Sequence, residues 1–188
     1  MCLKFQINVA RLATILRSLG AALAVQLALS APAASQDDGF QIAGFRPHAS
    51  ISFASLHVNA TQDFQDFNPG FALGFTRRVG AEWFELGAEG GVFRNSFGGR
   101  STYAIAFGDA RVLNRRRVSA HAGIFAGFAE YSEIRNTPAG VPRVGDYIFV
   151  AGPQVSLRWR DRYELRSRAV FGLEKTDAVV SFQFTYRF

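Results

Sequence analysis

Cysteine is all but missing: of 188 residues only Cys2 is one. It falls in a segment expected to be removed, so the remaining chain can form no disulfide and must hold together by other means. Long apolar runs are absent too. The longest, "LGAALAVQLAL" (19–29), falls short of the roughly 18 to 20 apolar residues a spanning helix needs. His48 and His121 have no partners at metal-ligand spacing, so no zinc site is expected. The glycines at 87–91 do not follow a phosphate-loop pattern, and no nucleotide or other cofactor is assigned. Charge of one sign is scarce as well. The formal net charge of +6 falls to +3 once residues 1–35 are set aside, because they hold three basic and no acidic residues. That excess is too mild and too dispersed to argue for nucleic acid.

What is present begins with an export signal. Lys4, Arg11 and Arg17 form a positive segment, the apolar run follows, and "SAPAAS" (30–35) offers small residues for cleavage. Residues 1–35 are therefore read as a signal peptide and 36–188 as one domain. Phenylalanine is abundant at 19, and glycine at 18. The phenylalanines fall into a pattern. In "AVVSFQFTYRF" (178–188), Val180, Phe182, Phe184, Tyr186 and Phe188 share one face, and Ser181, Gln183, Thr185 and Arg187 share the other. This period of two marks a strand with one greasy and one wet face. The period recurs in 101–112, 154–160 and 163–171. In 101–112, Tyr103, Ile105 and Phe107 oppose Ala104, Ala106 and Gly108.

A soluble sandwich would bury the greasy face, whereas a barrel in lipid turns it outward. Export without cysteine favours the barrel, and an aromatic last strand ending in Phe resembles that of outer-membrane barrels. Strands are expected near 49–57, 70–78, 83–93, 101–112, 117–128, 147–157, 158–170 and 179–188, the seventh following a tight turn near Asp161. The fold class is thus all-β, an eight-stranded antiparallel transmembrane β-barrel, with strands near the roughly 9 to 11 residues of a tilted crossing. Short connections at 79–82, 113–116 and near 161 alternate with longer ones at 58–69, 94–100, 129–146 and 172–178. Periplasmic turns are short and outer loops long, so both termini face the periplasm.

On this scheme His57 and Ser96 cap the first and third strands at the outer mouth, where a histidine could serve as general base for a hydroxyl. Arg158, Arg160, Glu164, Arg166 and Arg168 fall on the expected lumen face near the periplasmic end and read as an ion-paired plug. Asn68-Pro69-Gly70 reads as a turn opening the second strand. His121 is expected in the lumen with a structural role. "NRRR" (114–117) reads as an interfacial anchor at a periplasmic turn. Arg94 and Arg100, at the outer rim, are candidates to contact lipopolysaccharide phosphates through paired donors, with a solvated loop charge as the equal alternative.

"SLHVNATQDFQDFNPGFALGF" (55–75) and "LGAEGGVFRNSFGGRSTYAIAFG" (86–108) together resemble the lipid A palmitoyltransferase family of outer-membrane barrels. The resemblance implies that His57 and Ser96 match the family's catalytic His and Ser, and that Asn95 stands where the family has a catalytic Asp. Asn cannot accept a proton as a carboxylate does. Asp63, Asp66 and Asp146 in neighbouring loops are the alternatives. The amphipathic helix that precedes the family's barrel is missing or reduced in "SQDDGFQIAGF" (35–45). The implied reaction moves a palmitoyl chain from phospholipid to lipid A without cofactor, in a monomer in the outer membrane of a Gram-negative bacterium. Such an enzyme needs an apolar slot of small residues in the outer half of the lumen, for which Gly87, Gly91, Ala104, Ala106, Gly123 and Gly127 are the candidates. "HVN" is also similar to the lipid A deacylases, but Asn59 stands where they have Ser. The rival reading is a non-enzymatic small barrel with a structural or lipid-binding role. A pore is disfavoured because side chains fill so narrow a barrel.

Overall fold

The computed structural model describes residues 44–80, 82–131, 141–172 and 176–188. The signal expected at 1–35 lies outside the described residues. The strands are β1 (Arg46–Val58), β2 (Phe67–Arg78), β3 (Phe84–Arg94), β4 (Arg100–Arg115), β5 (Val118–Glu130), β6 (Arg143–Val144), β7 (Tyr147–Trp159), β8 (Tyr163–Phe171) and β9 (Ala178–Arg187). Each pairs antiparallel with its neighbours, and β5 pairs with β7 to close the sheet. The two residues of β6 pair only with Ile148 and Tyr147. The chain is therefore a closed antiparallel barrel of eight long strands.

Closure satisfies the ladder of every strand, and a barrel in lipid needs this because no water is available to the backbone. The surface agrees. Ile124, Leu73, Val155 and Leu157 lie more than half exposed on the outside, while four guanidinium groups and four carboxylates are buried inside. This is a soluble protein's arrangement turned inside out, that of an outer-membrane barrel.

The period of two predicts β9 correctly, with Gln183, Thr185 and Arg187 buried. Several expected boundaries shift. Strand β2 starts at Phe67, so Asn68, Pro69 and Gly70 lie in the strand and do not form a turn. There Asn68, Ala72 and Thr76 point inward and Phe67, Phe71 and Phe75 outward. The β4–β5 turn sits at 116–117, because β4 runs three residues further than expected. Residues 160–162 turn between β7 and β8, so Arg160 belongs to no strand. Its side chain is exposed and lies over Trp159 instead of entering the lumen.

Strand β1 carries the irregularity that matters most. Ser52 pairs with Gln183 but Ala54 with Phe182, so one residue is extra and the facing pattern slips. His48 and Ser50 point inward below this bulge, and Ser55 and His57 above it. Without the bulge, strict alternation from His48 would send His57 to the lipid face.

The interior has two layers. The layer nearer the short turns is ionic. Glu164 accepts from Arg158 Nε at 2.8 Å and from Arg166 Nε at 2.9 Å, and it lies 3.4 Å from Arg187. Glu85 joins Arg158 at 2.7 Å and Arg187 at 3.1 Å. At mid-height Glu89 accepts from Arg168, Gln183 and Tyr103 at 2.7 to 3.0 Å. The expected plug is present, then, and it reaches higher than the periplasmic end. Arg166 and Arg168 pass over the Phe107 ring at 4.5 and 5.7 Å, where the apolar layer begins. That layer is Ile105, Phe107, Phe125, Ala129, Ile148 and Val150, with Phe97, Tyr103, Tyr131 and Val170 packed against it.

An apolar layer above an ionic one is as expected, but apart from Ala129 its residues are not small. Ala104 and Ala106 face outward and are exposed, while Tyr103, Ile105 and Phe107 turn inward. The reason lies in the neighbouring strands. Gly87 stands opposite Phe107, Gly91 opposite Tyr103, Gly127 opposite Ile105 and Gly123 opposite Asp109. A methyl at Gly87 would come within 2.4 Å of the Phe107 ring. The inward glycines make room for large side chains from β4 and do not themselves form an open slot, since a small barrel fills by pairing small with large.

Candidate functional site at the outer mouth

The connections that follow β1, β3, β5 and β8, described at 59–66, 95–99, 131, 141–146, 172 and 176–177, start at one end, opposite the short turns, and this is the outer end by the usual length rule. Two of them are tied together, because Gln65 N–H donates to the Ser96 carbonyl at 3.0 Å.

Asn95 is fully buried where β3 gives way to this tie. Its side-chain oxygen accepts from the N–H groups of Phe97 at 3.1 Å and Gly99 at 2.9 Å, and its amide donates to Ser101 Oγ at 3.0 Å. Asparagine is suited to such a loop because its side chain can imitate a turn of backbone. Gly98, at φ +90°, completes it in a conformation that L side chains rarely adopt. The asparagine thus shapes the loop that carries Ser96.

Ser96 Oγ lies 3.4 Å from Ser55 Oγ and 3.4 Å from Asn68 Nδ2. Ser55 donates to Asn68 Oδ1, and Asn68 Nδ2 also donates to the Arg94 carbonyl at 3.1 Å. The polar neighbours of Ser96 are thus a hydroxyl and a carboxamide. His57 has a different set. Its Nδ1 lies 3.6 Å from Asp66 Oδ1, its ring stacks on Phe64 at 4.4 Å between centroids, and only 3% of its side chain is exposed. Phe64 in turn meets the edge of Phe97 at 5.4 Å, so an aromatic pair stands over the mouth.

Of the three carboxylates considered for the histidine, Asp66 is the one beside it, while Asp63 is exposed and Asp146 pairs with Arg143 at 3.6 Å. A histidine against a carboxylate is a base with an orienting partner, although 3.6 Å is an electrostatic contact and longer than a hydrogen bond. Arg94 and Arg100 are register partners at the outer ends of β3 and β4, both exposed, and two like charges held side by side suit an anion between them. His121 lies in the lumen and meets Ser119 Oγ at 3.1 Å. Among the described residues no group of three or more His, Cys, Asp or Glu could hold a metal ion.

Two residues of this mouth escape a reading of the sequence. Ser55 needs the bulge to face inward. Asn68 is hidden in an apparent turn motif, although carrying the β2 alternation back from Thr76 through Ala72 would have placed it inside. A shallow groove of about 570 Å³ lies on the outer wall of the barrel, lined in part by Leu73, Phe75, Ala88, Ala104 and Ala106, and so faces lipid.

No protein-family model matches the chain, and no curated protein matches it in sequence. Solved structures are similar to it. They include the outer membrane enzyme PagL (13% identity, 76% of this chain and 97% of that one, TM-score 0.45). The attachment invasion locus protein Ail of Yersinia pestis is similar at 13% identity over 77% and 99%, with TM-score 0.43. The N-terminal β-barrel domain of Pseudomonas aeruginosa OprF is similar at 13% identity over 76% and 97%, with TM-score 0.41. Each likeness is one of architecture. Closed antiparallel pairing, an apolar exterior and an ionic interior make this chain an eight-stranded β-barrel of the outer membrane.

Proposed function

We propose that the chain is a non-enzymatic outer-membrane barrel with a structural or lipid-binding role. One observation carries this reading: among the described residues an apolar cluster of buried side chains stands above the ionic layer, with Phe97 and Tyr131 packed on it. An acyl chain entering among these residues would displace buried side chains such as Ile105, Phe125 and Ile148, and emptying a packed core costs about 2 to 5 kcal/mol per large side chain. The Asn95 carboxamide is engaged with its own loop and offers no carboxylate to a histidine.

A second reading, transfer of a palmitoyl chain from phospholipid to lipid A, draws support from the pairing of His57 with Asp66. In that reading His57 is the base, Asp66 orients it, and Ser96 supplies a hydroxyl beside Ser55 and Asn68. Arg94 and Arg100 would hold a lipid A phosphate.

Mass spectrometry of lipid A separates the two. The chain is expressed in a host lacking its own acyltransferase, beside His57→Ala and Asp66→Asn variants. The structural reading expects identical spectra from all three. A palmitoyl-sized gain that is lost in His57→Ala and reduced in Asp66→Asn would overturn it in favour of the enzyme.

A further inference from the structure

The basic residues of this protein are 19 arginines and only two lysines, and apart from the Arg94–Arg100 pair at the mouth, five described arginines of two adjoining turns lie at the opposite end. Two short turns meet there, because Arg160 N–H donates to the Arg117 carbonyl at 2.7 Å. Arg115, Arg116, Arg117 and Arg160 are exposed and Arg162 is half-buried. Among the described residues none of these five forms an ion pair. The one acid in either turn, Asp161, reaches away to Arg78 at 3.1 Å and Arg46 at 3.9 Å.

The depth of this cluster is set by the wall beside it. Val118 and Trp159 are register partners and stand 43% and 49% exposed at the edge of the apolar band. The arginines begin where the band stops, and Arg160 lies over the Trp159 ring at 5.0 Å. A tryptophan with a guanidinium at the end of a lipid-facing strand belongs to the headgroup layer.

A second observation is conformational. Arg116 at φ 47° and Arg160 at φ 53° occupy the left-handed region, where a Cβ costs about 1 to 2 kcal/mol and where glycine or asparagine is the ordinary choice. Arginine at both positions is unfavourable for the turns themselves, and such strain points to a role outside the fold.

We propose that the two turns form a binding site for the phosphodiester headgroups of anionic glycerophospholipid in the periplasmic leaflet. Guanidinium forks match phosphate oxygens in pairs, and because Asp161 is drawn to Arg78 and Arg46, no carboxylate among the described residues engages these forks. The site rests on the membrane-spanning reading alone and is independent of any chemistry at His57.

The test is native mass spectrometry of the full barrel in zwitterionic micelles, titrated with phosphatidylglycerol or with phosphatidylcholine. The wild-type barrel is expected to hold phosphatidylglycerol at tenfold or lower concentration than phosphatidylcholine. Each headgroup arginine is worth about a fivefold change in binding, so Arg116→Gly with Arg160→Gly should lose about thirtyfold. Both glycines relieve the left-handed strain, so the variant should keep its folded, heat-modifiable band and melt no lower than wild type, whereas a merely structural role would lower the melting temperature. Arg115→Gln with Arg117→Gln gives the same binding test without altering either strained position. Equal binding of the two lipids, unchanged preference in both variants, or displacement of phosphatidylglycerol by millimolar inorganic phosphate would overturn the proposal.

Discussion

At the scale of single residues, Asn95 is the most informative. It occupies the position where a resemblance in sequence places a catalytic acid, yet its side chain is occupied by Phe97, Gly99 and Ser101. An N–H left without an acceptor in a buried loop costs about 1 to 3 kcal/mol. Asn95→Ala is therefore expected to lower stability by about 2 kcal/mol in a urea titration of the barrel in micelles, whatever the lipid A spectrum shows. His57 is the opposite case. Its histidine was legible in the sequence as a candidate base. Asp66 could be named only as one of three possible partners, because a loop's path is set by contacts with other loops.

Among the elements, β1 and β8 illustrate two ways a strand can serve the interior. The bulge in β1 re-aims Ser55 and His57, a one-residue event with no unambiguous signature in "SISFASLHV". Strand β8 keeps strict alternation and delivers Glu164, Arg166 and Arg168 to the lumen in order. There Glu164 is held by Arg158, Arg166 and Arg187 together. Taking the charge from one member of a buried ionic set leaves the others uncompensated, which costs about 3 to 5 kcal/mol. Glu164→Gln should destabilise the barrel by that amount in equilibrium unfolding, and Glu164→Gln combined with Arg187→Gln should recover part of the loss.

For the molecule as a whole, the two layers act in series. An ion entering from the periplasmic end meets a matched set of four guanidinium and four carboxylate groups, and beyond it an apolar layer with little affinity for charge. The barrel reconstituted in a planar bilayer is expected to show no stable conductance steps. A steady, reproducible step at neutral pH would mean that the interior opens and that both proposed roles need revision. The exterior divides by end as well. The arginine-rich turns meet one leaflet, and the mouth, where Asp63, Asp66, Asp146 and Asp177 stand beside Arg94, Arg100 and Arg143, faces the other side.

The sequence by itself determined the class of fold, because alternation is a local property: successive side chains of a strand point to opposite faces whatever the strand pairs with. Once 178–188 showed an aromatic face and a polar one, the only open matter was which face met lipid, and the export signal expected in 1–35 and the charged strands argued for the aromatic one. The positions of the turns followed to within a few residues. Tertiary structure alone decided which face of a strand carrying large and small residues turns inward. In β4 both faces are apolar, and the glycines of β3 and β5 draw Ile105 and Phe107 to the lumen and leave Ala104 and Ala106 in lipid. It also decided that Asp66 stands beside His57, that Asn68 and Ser55 flank Ser96, and that two arginine turns abut. Each of these joins segments far apart along the chain or follows from a slipped register, and a contact of that kind exists only once the barrel has closed.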